Sequence, residues 1–302
     1  MGKNKLRKFA EMETFPNVFQ FTCRTLGDSA LQTTPSSPHP MAGHWRDAFF
    51  HNDHPIVLEL GCGRGDYTVG LAAAHPERNY IGIDIKGARM WAGAKQAVQQ
   101  GMTNVAFLRT NIEIINLFFA PSEVDEIWIT FPDPQMKKAT KRLTSTFFMA
   151  RYAQLLRPGG RIHLKTDSPF LYTYTRAMLQ LNRLPVLADT DDLYGNAPCT
   201  QPLTEATMLQ THYEHQWLDR GMTIKYLCWQ LNNNLADNAL GDDAARVVMP
   251  TTEQEIHPIS PTGFIGPPPV PSPSTNLCQL TEPDIDIPPD TYRSYGRNYE
   301  AK

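Results

Sequence analysis

The strongest constraint on the fold is a change of rhythm at Pro55. From there to about Leu231, short apolar runs alternate with stretches whose apolar residues recur at helical spacing. The strand-like runs are Ile56–Leu60, Asn79–Asp84, Asn104–Arg109, Glu126–Phe131, Arg161–Lys165, Leu184–Leu187 and Thr223–Leu231. Between them Asp66–Ala74, Gly87–Gln100, Thr144–Leu156 and Pro169–Leu181 read as helices; in the second of these Trp91, Ala94 and Val98 fall on one face. Several runs are apolar throughout rather than alternating, as a sheet covered on both faces requires. Seven such strands separated by helices imply an α/β fold: a doubly wound, mostly parallel seven-stranded sheet with right-handed crossovers. Residues 191–207, punctuated by Gly195, Pro198 and Pro202, read as a long loop within it.

The flanks are different polymers. Residues 1–43 form a basic arm (Lys3, Lys5, Arg7, Lys8) and a Ser/Thr/Pro-rich connector; residues 44–234 are the domain; residues 235–302 are an acidic, Pro-rich tail. The chain's formal charge of −3 hides this division. Residues 1–230 carry 24 basic and 21 acidic side chains, whereas residues 231–302 carry 4 and 10, together with 11 of the 25 prolines. A tail of that composition cannot bury a core and is expected to be disordered. The mildly basic body keeps a nucleic-acid partner open, which the whole-chain charge alone would argue against. Five scattered cysteines give neither a disulfide framework nor a metal cluster, so no metal is expected. The basic start is followed by Glu11, Glu13 and Pro16 instead of an apolar stretch, and no apolar run is long enough to span a membrane. A cytoplasmic protein is expected, and both a monomer and a homodimer are compatible with the chain.

Chemistry gathers at two strand ends. The first is Glu59-Leu60-Gly61-Cys62-Gly63-Arg64-Gly65-Asp66, where a buried strand enters a helix through a G-x-G-x-G turn. Such a turn lies in the ligand crevice beyond the carboxyl ends of the strands. The spacing departs from the dinucleotide fingerprint G-x-G-x-x-G, and no glycine stands at position 66. The next strand ends in Asp84, placed to accept two hydrogen bonds from a ribose diol. Glu59 would repel a pyrophosphate but suits a cationic group such as the amino-acid end of S-adenosyl-L-methionine. The second strand end is Phe131-Pro132-Asp133-Pro134, followed by Lys137, Lys138, Lys141 and Arg142. Prolines on both sides hold Asp133 stiffly, as a catalytic carboxylate at a strand end would be held.

At these residues the sequence resembles the bacterial tRNA (guanine-N7-)-methyltransferase family, class I (Rossmann-like) enzymes that use S-adenosyl-L-methionine. The resemblance rests on Glu59–Gly63, Ile81–Asp84, Asn104–Asn111, Phe131–Pro134 with Lys137 and Lys138, Leu164–Asp167 and Thr211–Glu214. It implies methyl transfer to N7 of a guanine in tRNA, guanine 46 of the variable loop. Carried over by position, it assigns Glu59, Gly61, Gly63, Asp84, Asn111 and Asp133 to the cofactor, with Asp133 catalytic. Lys137, Asp167, Thr211 and Glu214 fall to the tRNA, with Asp167 and Glu214 as acceptors for guanine N1–H and N2–H₂. The four cations of the Pro-Asp-Pro loop and those of the arm would meet phosphates. Two positions depart from the family pattern: Asn111 stands where Asp is commoner, and Gln135 replaces a Trp, with Ala139-Thr140 diluting the basic run. Two alternatives keep the fold, namely a class I methyltransferase acting on another RNA base or a small molecule, and a catalytically silent RNA-binding protein.

Overall fold

The computed structural model describes residues 3–21, 38–195, 201–231 and 280–283. In chain order they form α1 (Lys3–Met12), β1 (Val18–Gln20), β2 (Ile56–Leu60), α2 (Asp66–Ala74), β3 (Asn79–Ile83), α3 (Gly87–Gln99), β4 (Val105–Arg109) and β5 (Val124–Thr130). Then follow α4 (Thr146–Leu155), β6 (Leu156–Thr166), α5 (Pro169–Leu181), β7 (Val186–Thr190), α6 (Gln201–Met208), α7 (His212–Leu218) and β8 (Lys225–Gln230). All eight strands join one sheet in the order β1-β4-β3-β2-β5-β6-β8-β7. Pairing is parallel from β1 through β6, and β8 runs antiparallel to both β6 and β7.

The seven expected strands are all present. The eighth comes from the arm: Val18, Phe19 and Gln20 pair with Phe107, Leu108 and Arg109 of β4. The boundary drawn at residue 43 therefore does not separate the arm from the domain. α1 packs on α3, where Glu11 accepts hydrogen bonds from Trp91 Nε1 (2.9 Å) and Lys95 Nζ (2.6 Å), and Met12 is buried. The Lys8 ammonium stands 4.5 Å from the centre of the Trp91 ring. Part of the connector, residues 22–37, lies outside the described residues.

Alternate side chains of each central strand feed two separate cores, which explains the unbroken apolar runs. From β2, Leu58 and Leu60 join one cluster with Phe148, Met149 and Tyr152 of α4 and Phe170 and Leu171 of α5. Val57 joins the other, with Val69 and Leu71 of α2 and Met90 and Ala94 of α3. Each Val, Leu, Phe or Met side chain among them, fully buried, contributes roughly 1.5–3 kcal/mol. The second core encloses a polar network. His163 lies parallel to Trp128 (centroids 4.1 Å apart), and its Nε2 is 3.3 Å from Glu126, which also accepts from Arg161 (2.7 Å) and Trp128 Nε1 (2.7 Å). Burial pulls the His163 pKa down, but the Glu126 charge prevails and holds it up at about 10.

Two expectations change. Residues 201–207, read as the end of a long loop over 191–207, belong to α6, whose first turn accommodates Pro202 because an N–H there has no intrahelical partner to lose. Of the tail expected to be disordered, residues 280–283 dock on α4 and α5; the rest of 235–302 lies outside the described residues.

Candidate active site

An open cleft of about 710 Å³ lies at the carboxyl ends of the central strands, lined by Glu59, Gly61, Gly63, Asp84, Asn111, Asp133, Asp167 and Thr211 among others. Topology puts it there: β2 leads to β3 on one side while β5 pairs on the other, so the loops after β2 and β5 diverge and leave a crevice.

The glycine turn is shaped by backbone geometry. Gly61, Gly63 and Gly65 have φ of 77°, 55° and 78°, a region that side chains disfavour. The Gly61 and Cys62 N–H groups both donate to the Ile83 carbonyl (2.8 and 3.1 Å), pinning the turn to β3. Gly65, not position 66, provides the close helix contact: a Cβ there would come within 2.6 Å of Phe107, and one on Gly93 of α3 within 2.6 Å of the Arg64 carbonyl. Asp84 accepts from the Gly63 N–H (3.0 Å) and the Lys86 N–H (2.7 Å), so it braces the turn while each oxygen keeps acceptor capacity for a diol.

Glu59 is 4 % exposed yet lines the cleft. Thr130 Oγ1 donates to one carboxylate oxygen (2.6 Å) and Thr68 Oγ1 to the other. Burial dominates and raises its pKa to about 7, with the two hydroxyls opposing the shift. A buried carboxylate whose charge is penalised by desolvation fits a site completed by a positively charged ligand. Asn111 and Thr110 line the same cleft beyond β4, and the buried Thr110 hydroxyl has no hydrogen-bond partner among the described residues. This set of groups, a buried acid, a second carboxylate with spare acceptor capacity and small polar side chains beyond the next strand, fits a cationic nucleoside.

Across the cleft, Pro132 and Pro134 are buried and Asp133 is exposed between them. Phe131 and Gln135 both adopt left-handed backbone (φ 46° and 47°), so the loop is folded back at each end. Two such residues store on the order of 1–3 kcal/mol each, a cost that clusters at functional sites. The Gln135 N–H donates to Asp133 Oδ1 (3.0 Å), which fixes the carboxylate at the cleft mouth.

The basic run is not a uniform phosphate grip. Lys137 and Lys138 are exposed. Lys141 is paired with Glu113 (2.8 Å). Arg142, expected at a phosphate, is instead 6 % exposed: its guanidinium lies over Tyr174 and Phe170 and donates to the Met136 carbonyl (3.0 Å). Contact density around aromatic rings, invisible in the local sequence, decides its place. Cations that sequence reasoning missed line the cleft from other loops: Arg64, Lys86, Arg89 and Arg220. They are scattered along the chain, so no cluster marked them.

Asp167, 3 % exposed, sits at the cleft end of β6. Glu214, expected at the guanine, is fully buried with both oxygens engaged inside the protein. Its Oε1 is 2.7 Å from Lys165 Nζ and accepts from Tyr194 OH (2.5 Å), while Oε2 accepts from the Thr211 N–H (3.1 Å). Thr211 and Glu214 form a reciprocal capping box at the start of α7, a signal legible as Thr-x-x-Glu. Glu214 therefore positions α7, with Thr211, its N-cap, at the cleft. Burial lowers the Lys165 pKa and Glu214 opposes that shift.

Among the described residues no group of His, Cys, Asp and Glu could hold a metal ion, and no helix is long and apolar enough to cross a membrane. A doubly wound sheet with a glycine turn and the carboxylates of Glu59 and Asp84 at its switch point is the architecture of a class I methyltransferase. Residues 53–227 match a family described as a putative methyltransferase. The chain is 52 % identical to the tRNA (guanine-N(7)-)-methyltransferase of Porphyromonas gingivalis, over 96 % of this chain and 98 % of that protein. The protein of that name from Bacteroides thetaiotaomicron is 48 % identical over 99 % of this chain and 96 % of its own length. The one from Christiangramia forsetii is 49 % identical over 76 % of this chain and 99 % of its own. The chain belongs to the tRNA (guanine-N(7)-)-methyltransferase family.

Proposed function

We propose that this chain transfers a methyl group from S-adenosyl-L-methionine to N7 of a guanine in tRNA, guanine 46 of the variable loop, in the cytoplasm where its substrate resides. The observation that carries the reading is the opposition, across one cleft, of the Glu59–Asp84 floor and the proline-locked Asp133. When bound, the cofactor supplies an electrophilic methyl carbon on a sulfonium sulfur. Glu59 would hold the cationic end, its carboxylate ionising fully beside a positive charge, and Asp84 would accept from the ribose hydroxyls. Asn111 and Thr110 offer hydrogen bonds beyond β4.

Guanine N7 presents its lone pair at neutral pH, so the chain need hold no residue to take a proton from it before a methyl group could be accepted. No general base is needed, and catalysis rests on alignment and fixed charge. Asp133 stabilises the positive charge that the purine gains and orients the ring. Asp167 accepts from the guanine N1–H and N2–H₂ edge, which adenine does not offer. Lys137, Lys138 and the cleft-lining Arg64, Lys86, Arg89 and Arg220 hold phosphates. The test is methylation of undermodified tRNA followed by nucleoside analysis. Asp133→Ala is expected to lower kcat by roughly 10²–10³, the cost of removing one preorganised charge-stabilising group. N7-methylation by this variant at the wild-type rate refutes the assignment.

A further inference from the structure

The described part of the tail is a short peptide seated on the helical layer, and none of its hydrogen-bond partners lines the cleft. Its contacts are specific. Asn182, which closes α5, reads the backbone of Thr281 from both sides: the Thr281 N–H donates to Asn182 Oδ1 (2.7 Å) and the Thr281 carbonyl accepts from Asn182 Nδ2 (2.9 Å). Leu280 packs against the apolar cluster beneath. Glu282 Oε2 accepts from the Thr146 N–H (3.1 Å) and the Thr146 hydroxyl (2.7 Å), and Oε1 accepts from Tyr174 OH.

The Thr146 N–H lies in the first turn of α4, where no intrahelical acceptor exists, and Ser145 at the N-cap makes no side-chain bond there. Glu282 thus caps α4 from outside, with its charge at the favourable end of the helix. Its other partner leads to the active-site loop. The Tyr174 ring supports the Arg142 guanidinium (4.4 Å to the ring centre), and Arg142 in turn holds the Met136 carbonyl (3.0 Å), one residue before Lys137.

We propose that Leu280–Pro283 is an intramolecular latch: docked on α4 and α5, it fixes Tyr174 and, through Arg142, the 135–142 loop that presents Lys137 and Lys138 to tRNA. The tRNA part rests on the function proposed above; the ordering of the loop does not. The Christiangramia relative, aligned over nearly its whole length, spans only 76 % of this chain. A family member therefore exists as a shorter chain, and a latch would tune the loop rather than build the site.

The test uses the full chain carrying Leu280→Ser and Glu282→Ala, two changes confined to the tail. Amide hydrogen exchange over residues 136–148 is compared with wild type, and tRNA methylation kinetics are measured beside cofactor binding. The latch predicts exchange at Thr146 and across the loop faster by about tenfold, the factor of one lost hydrogen bond to a charged group. It also predicts a KM for tRNA raised by about the same factor, with kcat and cofactor Kd within about twofold. A wild-type peptide spanning residues 276–288, added in trans, restores protection, and the same peptide carrying Glu282→Ala does not. Unchanged exchange at Thr146 overturns the docking. Faster exchange at Thr146 with an unaltered loop and KM overturns the coupling. If the wild-type chain fails to methylate tRNA, the proposed function falls, while the exchange data still decide the latch.

Discussion

Glu59→Gln separates what the cleft needs for folding from what it needs for binding. In the folded chain Glu59 is held with a pKa of about 7, against an ordinary value of 4.5, because burial penalises its charge. Between those pH values the folded state binds the proton more tightly than the unfolded chain. This group's contribution is therefore fully favourable below pH 4.5 and is lost as pH rises through 7. At about 1.4 kcal/mol per pH unit, keeping the carboxylate charged at pH 8 costs about 3 kcal/mol. Glutamine keeps the shape without the charge, and the hydroxyls of Thr68 and Thr130 rotate to accept from its amide as well as donate to its carbonyl. Denaturant unfolding should find the variant about as stable as wild type at pH 4.5 and more stable, by up to about 3 kcal/mol, at pH 8. Titration with S-adenosyl-L-methionine should show the opposite sign: a Kd weaker by about 10–100-fold at pH 8, the value of a charge-assisted contact, and without the wild type's tightening between pH 6 and 8. A variant less stable than wild type by the same amount at every pH refutes the burial argument. Unaltered cofactor affinity refutes the role of the charge.

Other perturbations follow from the same geometry. Lys165→Met leaves Glu214 charged and buried without its cation, and should cost about 3–5 kcal/mol in chemical denaturation; Glu214→Gln should also destabilise, with loss of α7 packing visible in exchange at Thr211. Removing Lys137 and Lys138 together, or Arg89 and Arg220 together, should each reduce the slope of log K for tRNA against log salt by about 2 and leave cofactor binding intact. An unchanged slope returns that pair to ordinary surface charge. His163→Gln should flatten stability between pH 6.5 and 10: the wild-type imidazolium opposite Glu126 stabilises fully below its ordinary pKa of 6.5 and loses that contribution as pH rises toward about 10, a window read by urea midpoints across pH.

The sheet was legible because both its faces are covered. Ile56–Leu60 and Asp66–Ala74 coincide with β2 and α2, since a continuous apolar run ends at a glycine turn that permits only one kind of continuation. Asp133 and Asp84 were legible for a similar reason: local backbone chemistry places them at strand ends whatever surrounds them. Arg142 and Glu214 were not. Both are charged residues in motifs that suggest contact with RNA, and both are buried by partners far away in sequence, Tyr174 and Phe170 for one and Lys165 and Tyr194 for the other. The three-residue β1 escaped because so short a segment has no periodicity to read; only pairing with β4 defines it.

That pairing has a practical side. With Val18–Gln20 in place, β4 is an interior strand and its backbone donors and acceptors are spoken for. A chain trimmed to the family match at residues 53–227 would lose β1 and leave β4 as a bare, apolar sheet border able to template the addition of another strand. Such a fragment would keep every acidic group of the cleft and still tend to stack into aggregates. Three residues of the arm therefore close a sheet edge that the family match alone would leave open.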